Sequence, residues 1–255
     1  DDARWQLASG FAYLREQGFA PLGCWPPEGS VSAAAVAEYA AAGMRWLVTD
    51  EGILERSLDR PLRNGGPAAD ELYRAWHLGG QGPVLLFRDR RLSDAVGFQY
   101  SRWEDEGQAA EHFTRELEEL ARALPPEAVI TIALDGENPW LYYPEGGGRF
   151  LRELFERLNR STQPLVMATL AEVADATAPR ELRHLHPGSW INSTFATWIG
   201  HPEKCRAWEV LGAVRNAIGA GNNRQPPALR LAEGSDWFWW LGDDNPTALA
   251  PLYDR

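Results

Sequence analysis

The chain has 255 residues, 44% of them apolar and 24% charged, with a formal net charge of −11. This is a soluble globular composition of one barrel-sized domain or two small ones, neither disordered nor fibrous. No apolar run approaches the roughly 18 residues of a membrane span, and an acidic chain without a basic tract argues against nucleic-acid binding.

Read in chain order, the pattern alternates helices with short apolar runs. Residues 3–17 predict a helix closed by Gly18, and Phe19 to Trp25 is an apolar run broken by Pro26-Pro27. Ser32 opens an alanine-rich helix that Gly43 ends. Arg45 to Val48 is strand-like and leads to Thr49-Asp50-Glu51, while residues 55–70 read as a loop. Pro83 to Phe87 is a buried strand, Glu104 to Ala123 a long amphipathic helix, and Val129 to Leu134 another buried strand. A helix over 147–160 and a strand at Leu165 to Met167 follow. Residues 202–220 and 226–240 read as helical. Alternation of this kind implies parallel β/α architecture, in which functional groups gather where strands end.

Acids stand at those ends. Trp25-Pro26-Pro27-Glu28-Gly29 places Glu28 on a turn beside Trp25. The plain alternative is a solvated turn acid before the Ser32 helix. Thr131 to Leu134 delivers Asp135, with Glu137, Asn138 and Trp140 just beyond. The alternative there is an Asp-Gly turn with a backbone role only. Twelve tryptophans exceed core needs. Indole faces pack on the C–H faces of sugars, so Trp190, Trp198, Trp208 and the run Trp237-Phe238-Trp239-Trp240 are candidate platforms, though some must be core. His201, beside Gly200, is the histidine best placed for substrate contact, and Asp236 flanks the aromatic run. The histidines lack metal-ligand spacing, no phosphate loop or nucleophile elbow is present, and no cofactor is implied. Two distant cysteines imply neither a disulfide framework nor a structural zinc site.

Paired carboxylates among aromatic rings point to glycoside chemistry, in which a retaining enzyme holds its two acids about 5–5.5 Å apart. At these residues the chain resembles glycoside hydrolase family 57, the α-amylase and 4-α-glucanotransferase family. Trp25-Pro26-Pro27-Glu28 resembles the family's Trp-x-x-Glu region, and Leu134-Asp135-Gly136-Glu137-Asn138 its Asp-Gly-Glu region. Trp190-Ile191-Asn192, Trp198 to Glu203 and Gly234 to Trp240 resemble the same family, especially a bacterial amylase-like branch. The resemblance implies an α/β fold: an incomplete parallel (β/α)7-type barrel with C-terminal helices. Residues 1–180 would carry the barrel portion, and 181–255 a Trp-rich helical extension packed on it. It implies Glu28 as nucleophile and Asp135 as acid/base, retention at α-1,4-glucosidic bonds, and no metal. Trp25, Glu137, Trp140, Trp190, His201, Asp236 and Trp237 are the expected substrate contacts, with an α-glucan or maltooligosaccharide as partner. The family's His-Gln-Pro-type region has no counterpart here, so the chain is expected to lack the N-terminal part of the barrel. The start, Asp1-Asp2-Ala3-Arg4, has no signal-type leader, so a bacterial cytoplasmic location is expected. Two readings stay open: a glucan-active enzyme, or a non-catalytic glucan-binding module.

Overall fold

A five-stranded sheet in the order β1-β2-β4-β3-β5 organises the molecule, seen in a computed structural model that describes residues 2–63, 70–137, 139–161, 165–219 and 226–248. The strands are β1 (Gly23–Cys24), β2 (Trp46–Asp50), β3 (Trp76–Leu78), β4 (Val84–Arg88) and β5 (Arg180–Leu182). β1–β2, β2–β4 and β3–β5 pair parallel, while β3–β4 pairs antiparallel. Among the described residues the sheet is open and its pairing mostly parallel.

The helices are α1 (Asp2–Glu16), α2 (Ala33–Ala41), α3 (Glu51–Leu58), α4 (Arg90–Asp94), α5 (Glu106–Ala123), α6 (Gly148–Arg160), α7 (Leu170–Ala176), α8 (Pro202–Ile218), α9 (Pro227–Ala232) and α10 (Asp236–Trp239). Side-chain caps explain several starts. Ser32 accepts from Ala35 N, Asp50 from Gly52 N, Asp89 from Leu92 N and Asp105 from Gly107 N, each taking up a donor the first turn cannot satisfy.

β2 and β4 are apolar on both faces because both are covered. Leu47, Leu85 and Phe87 pack with Ile53, Leu54 and Tyr39 on one side. Val48, Val84 and Leu86 pack with Trp25, Leu170 and Val173 on the other. A further core joins α5 and α6 through Phe113, Leu117, Phe150 and Leu154.

Several expectations need correction. The run Phe19 to Trp25 contributes only two strand residues. Residues 55–58 of the expected loop belong to α3, and 64–69 lie outside the described residues. β3 and β5, three residues each, are too short to stand out in the sequence and were not anticipated. Residues 226–240 form two short helices, divided around Gly234. Leu165 to Met167 makes no ladder. Nor does Val129 to Leu134. Its backbone finds other partners: Val129 N donates to Tyr73 O and Thr131 O accepts from Asp89 N, at 2.8 and 2.9 Å. Ala133 N donates to Ser93 Oγ, and Ala133 O accepts from Arg88 Nη1. Side chains thus occupy backbone groups that a ladder would have used.

Candidate active site

Beyond β1, the chain turns at Pro26-Pro27 and places Glu28 in the left-handed region at φ 56°, ψ 26°. A glutamate rarely adopts that conformation, so it persists only where surrounding contacts enforce it. They do so here. Thr49 Oγ1, from β2, donates to Gly29 O at 2.6 Å. Trp190 N donates to Glu28 O at 3.0 Å, and Trp190 Nε1 donates to Glu28 Oε2 at 2.6 Å. One tryptophan therefore holds both the backbone and the carboxylate of Glu28.

The segment carrying Trp190 is itself locked. Val31 and Gly188 exchange both backbone hydrogen bonds, at 2.8 and 3.0 Å. Asn192 and Ser193 are left-handed, which folds the segment back on itself. A Cβ at Gly188 would run into the Ser193 carbonyl, so glycine is required for this close approach.

Further aromatic rings pack on Trp190. Trp25 meets Trp190 edge-on at 6.3 Å between centroids, and Phe98 stacks on Trp190 at 6.2 Å. Phe98 lies in a wide turn after α4 and is 45% exposed. The Arg88 guanidinium sits over the Trp190 ring, 4.7 Å from its centroid. Arg88 is only 2% exposed, and its Nε donates to the fully buried Asp50 at 2.8 Å. Its Nη1 pairs with Asp94 at 3.0 Å. Asp50 also pairs with Arg90, and Glu51 and Asp89 share Arg63, so the carboxylates behind the site are compensated. The Glu28 turn additionally borders an apolar cavity of about 610 Å³, walled by Leu7, Tyr39, Phe195, Trp198 and Trp208.

Burial pushes the Glu28 carboxyl above the ordinary glutamate value. The Trp190 hydrogen bond opposes that rise, while the charges of Asp135, Asp236 and Glu137 add to it. Those three charges act on Glu28 although they come from distant stretches of sequence. Asp135 is half-buried at the end of the 129–134 segment, Glu137 is exposed, and Asp236 is exposed at the start of α10.

The other anticipated contacts have structural partners. Trp140 packs on Tyr143 at 5.5 Å and against Gly147. His201 Nδ1 accepts from Glu203 N to cap α8, and its Nε2 bonds Asp243 at 3.1 Å. Trp237 donates to Ala232 O and lies 4.0 Å from the Phe238 ring. Asn138 lies outside the described residues. Two residues at the site were missed in the sequence. Arg88 closes an otherwise apolar strand, and a charge in that position is a readable signal. Phe98 carries no comparable mark. Among the described residues, no cluster of three or more His, Cys, Asp or Glu is placed to hold a metal, and no helix is long and apolar enough to cross a membrane.

Residues 1–186 match the profile of glycosyl hydrolase family 57. No curated protein matches the chain by sequence. Among solved structures, it is similar to a GH57-type branching enzyme from the archaeon Pyrococcus horikoshii, at TM-score 0.70 and 17% identity over 94% of this chain and 56% of that one. A GH57 branching enzyme from Thermococcus kodakaraensis gives TM-score 0.68 and 17% identity, covering 93% and 57% of the two chains. The 4-alpha-glucanotransferase from Thermococcus litoralis gives 0.54 and 19%, covering 81% and 30%. At these identities the likeness shows the fold, and the chain spans little more than half the length of the branching enzymes.

Proposed function

Because the chain belongs to glycosyl hydrolase family 57, we propose that it acts on α-1,4-linked glucan with retention of configuration, Glu28 serving as nucleophile and Asp135 as acid/base. The observation that carries this reading is the Glu28 carboxylate itself. It is held at a strained turn by Trp190, on which Trp25 and Phe98 pack, and the Asp135 charge acts on it. Relatives in fold that are titled branching enzyme and 4-alpha-glucanotransferase support glucan as the substrate.

Trp190 engages Oε2, which leaves Oε1 to attack. In the first step Oε1 bonds to the anomeric carbon, the glycosidic C–O bond breaks, and the leaving oxygen takes the Asp135 proton. In the second step the Asp135 carboxylate removes a proton from water or a sugar hydroxyl. That oxygen attacks the anomeric carbon and the Glu28 ester bond breaks. Water gives hydrolysis and a sugar hydroxyl gives transfer. Trp25 and Trp190 form the sugar-facing wall nearest the reacting carbon, with Glu137 and Asp236 as partners for hydroxyls. Trp140, His201 and Trp237 bound outer subsites. Glu28 must be ionised to attack, so its raised carboxyl sets the acid limb of activity above the ordinary glutamate range.

The test is product formation from maltoheptaose, read as reducing ends and as redistribution of chain lengths. Wild-type turnover with loss in both Glu28→Gln and Asp135→Asn is the expected result. Equal turnover in wild type and both variants would sink the reading. The open sheet favours a second reading, a non-catalytic glucan-binding module. Calorimetric binding of maltoheptaose without any turnover would favour it.

A further inference from the structure

The geometry points to Arg88 as a positioning residue that holds the two candidate acids in register, through Trp190 on one side and Ala133 on the other. This rests on the glucan-active reading above and concerns the same site. Arg88 leaves the C-terminal end of β4, the most buried strand, and presents its guanidinium to four neighbours. Asp50 and Asp94 anchor its edge at 2.8 and 3.0 Å. Its planar face covers the Trp190 ring at 4.7 Å, and that indole donates to Glu28 at 2.6 Å. Its Nη1 donates to the Ala133 carbonyl at 3.3 Å, two residues before Asp135.

The 129–134 segment has no strand ladder to set its height above the sheet. Arg88 supplies a fixed point where the ladder is missing. A retaining pair depends on a carboxylate separation of about 5–5.5 Å. The group that touches both supports therefore controls that separation without touching substrate. Only arginine fits the role: its rigid planar fork can lie over indole while donating to Asp50 and the Ala133 carbonyl and pairing with Asp94, whereas an ammonium is a compact point charge.

The deciding variant is Arg88→Lys. It keeps the charge that Asp50 and Asp94 require and removes the planar fork. On maltoheptaose, kcat should fall about 100-fold with KM within a factor of about three, the pattern of misplaced catalytic groups rather than lost binding.

A second readout does not need turnover. The Trp190 indole N–H resonance, assigned by its loss in Trp190→Phe, should titrate with the Glu28 carboxyl, and Glu28→Gln should abolish that titration. Trp190 from its loop bonds Glu28, and the charges that act on it are those of Asp135 and Glu137 from the 129–137 segment and Asp236 from α10, with Glu38 of α2 lining the adjoining cavity. These remain in place in Arg88→Lys. The midpoint should therefore rise by about one pH unit, the worth of one weakened hydrogen bond to a charged group.

Unchanged kcat and an unchanged midpoint in a folded Arg88→Lys protein would overturn the inference. If that variant fails to fold, Asp94→Asn loosens one anchor while leaving Asp50 paired. A raised midpoint there upholds the role, and an unmoved one overturns it. Full activity of Glu28→Gln would sink the glucan reading instead, while the Trp190 resonance would still decide the Arg88 question.

Discussion

Glu28 is gripped from three directions, by Thr49 at its neighbour's carbonyl, by the Trp190 backbone and by the Trp190 indole. Asp135 ends a segment whose backbone is held piecemeal, by Asp89, Ser93 and Arg88. The Glu28 side is rigid because a strained turn and a folded-back loop enforce each other. The Asp135 side is the more open of the two, with exposed residues immediately following it. A retaining pair can use this asymmetry. The nucleophile must be fixed against a developing bond, while the acid/base must meet a leaving group and then water or an acceptor.

The largest expected effect breaks the comparison by chemistry. Asp135→Asn should cost about 10²–10⁴-fold in kcat on maltoheptaose, and much less on an aryl maltoside whose leaving group needs no proton. Glu28→Gln should be crippled on both substrates. Equal sensitivity to the leaving group in the two variants would refute the division of roles.

Backbone substitution sharpens the comparison next. Gly188→Ala forces a collision with the Ser193 carbonyl on the Glu28 side and should cost about 1–3 kcal/mol in urea unfolding. Gly136→Ala, beside Asp135, meets nothing within 4 Å and should change stability by less than about 0.5 kcal/mol. Equal costs would show the two sides to be equally constrained.

A smaller effect concerns the indole. Trp190→Phe removes the one hydrogen bond that holds the Glu28 carboxyl down, so the acid limb of kcat/KM should move to higher pH. A limb that stays in place would mean that Trp190 leaves the Glu28 carboxyl untouched.

The smallest expected effect is on stability. A carboxyl raised in the folded state favours folding below its unfolded value, and that contribution is lost as pH rises through its folded value. Glu28→Gln removes this dependence. Its Tm relative to wild type should therefore be higher at pH 8 than at pH 4. A pH-independent difference would show that burial does not burden the ionised form.

Much of the fold was legible where local signals agree. The helices α1, α2, α5 and α6 each carry at least one local signal, such as the Ser32 and Asp105 caps of α2 and α5, the Gly18 and Gly43 stops after α1 and α2, or amphipathic spacing, and they fall close to the expected bounds. β2 and β4 read as apolar runs because both of their faces are buried. The failures have a common cause. Val129 to Leu134 has strand composition, yet Ser93 and Arg88 claim its hydrogen-bonding groups, and no local pattern records that competition. His201 and Trp237 also serve in helix capping and aromatic packing, so residue type alone does not separate a structural role from a sugar contact.

The amino-acid sequence by itself determined which groups exist and where the chain turns. Pro26-Pro27 forces a turn beyond β1, and the apolar run of β4 ends in Arg88, because proline geometry and burial act over a few residues. Only the tertiary structure decided what surrounds the Glu28 carboxylate. Trp190 lies 162 positions away from it, and the charges of Asp135 and Asp236 act on it from different elements. Contacts between residues so far apart are set by how the sheet, the 188–194 loop and the C-terminal helices pack, and that packing has no signature in any short stretch of chain.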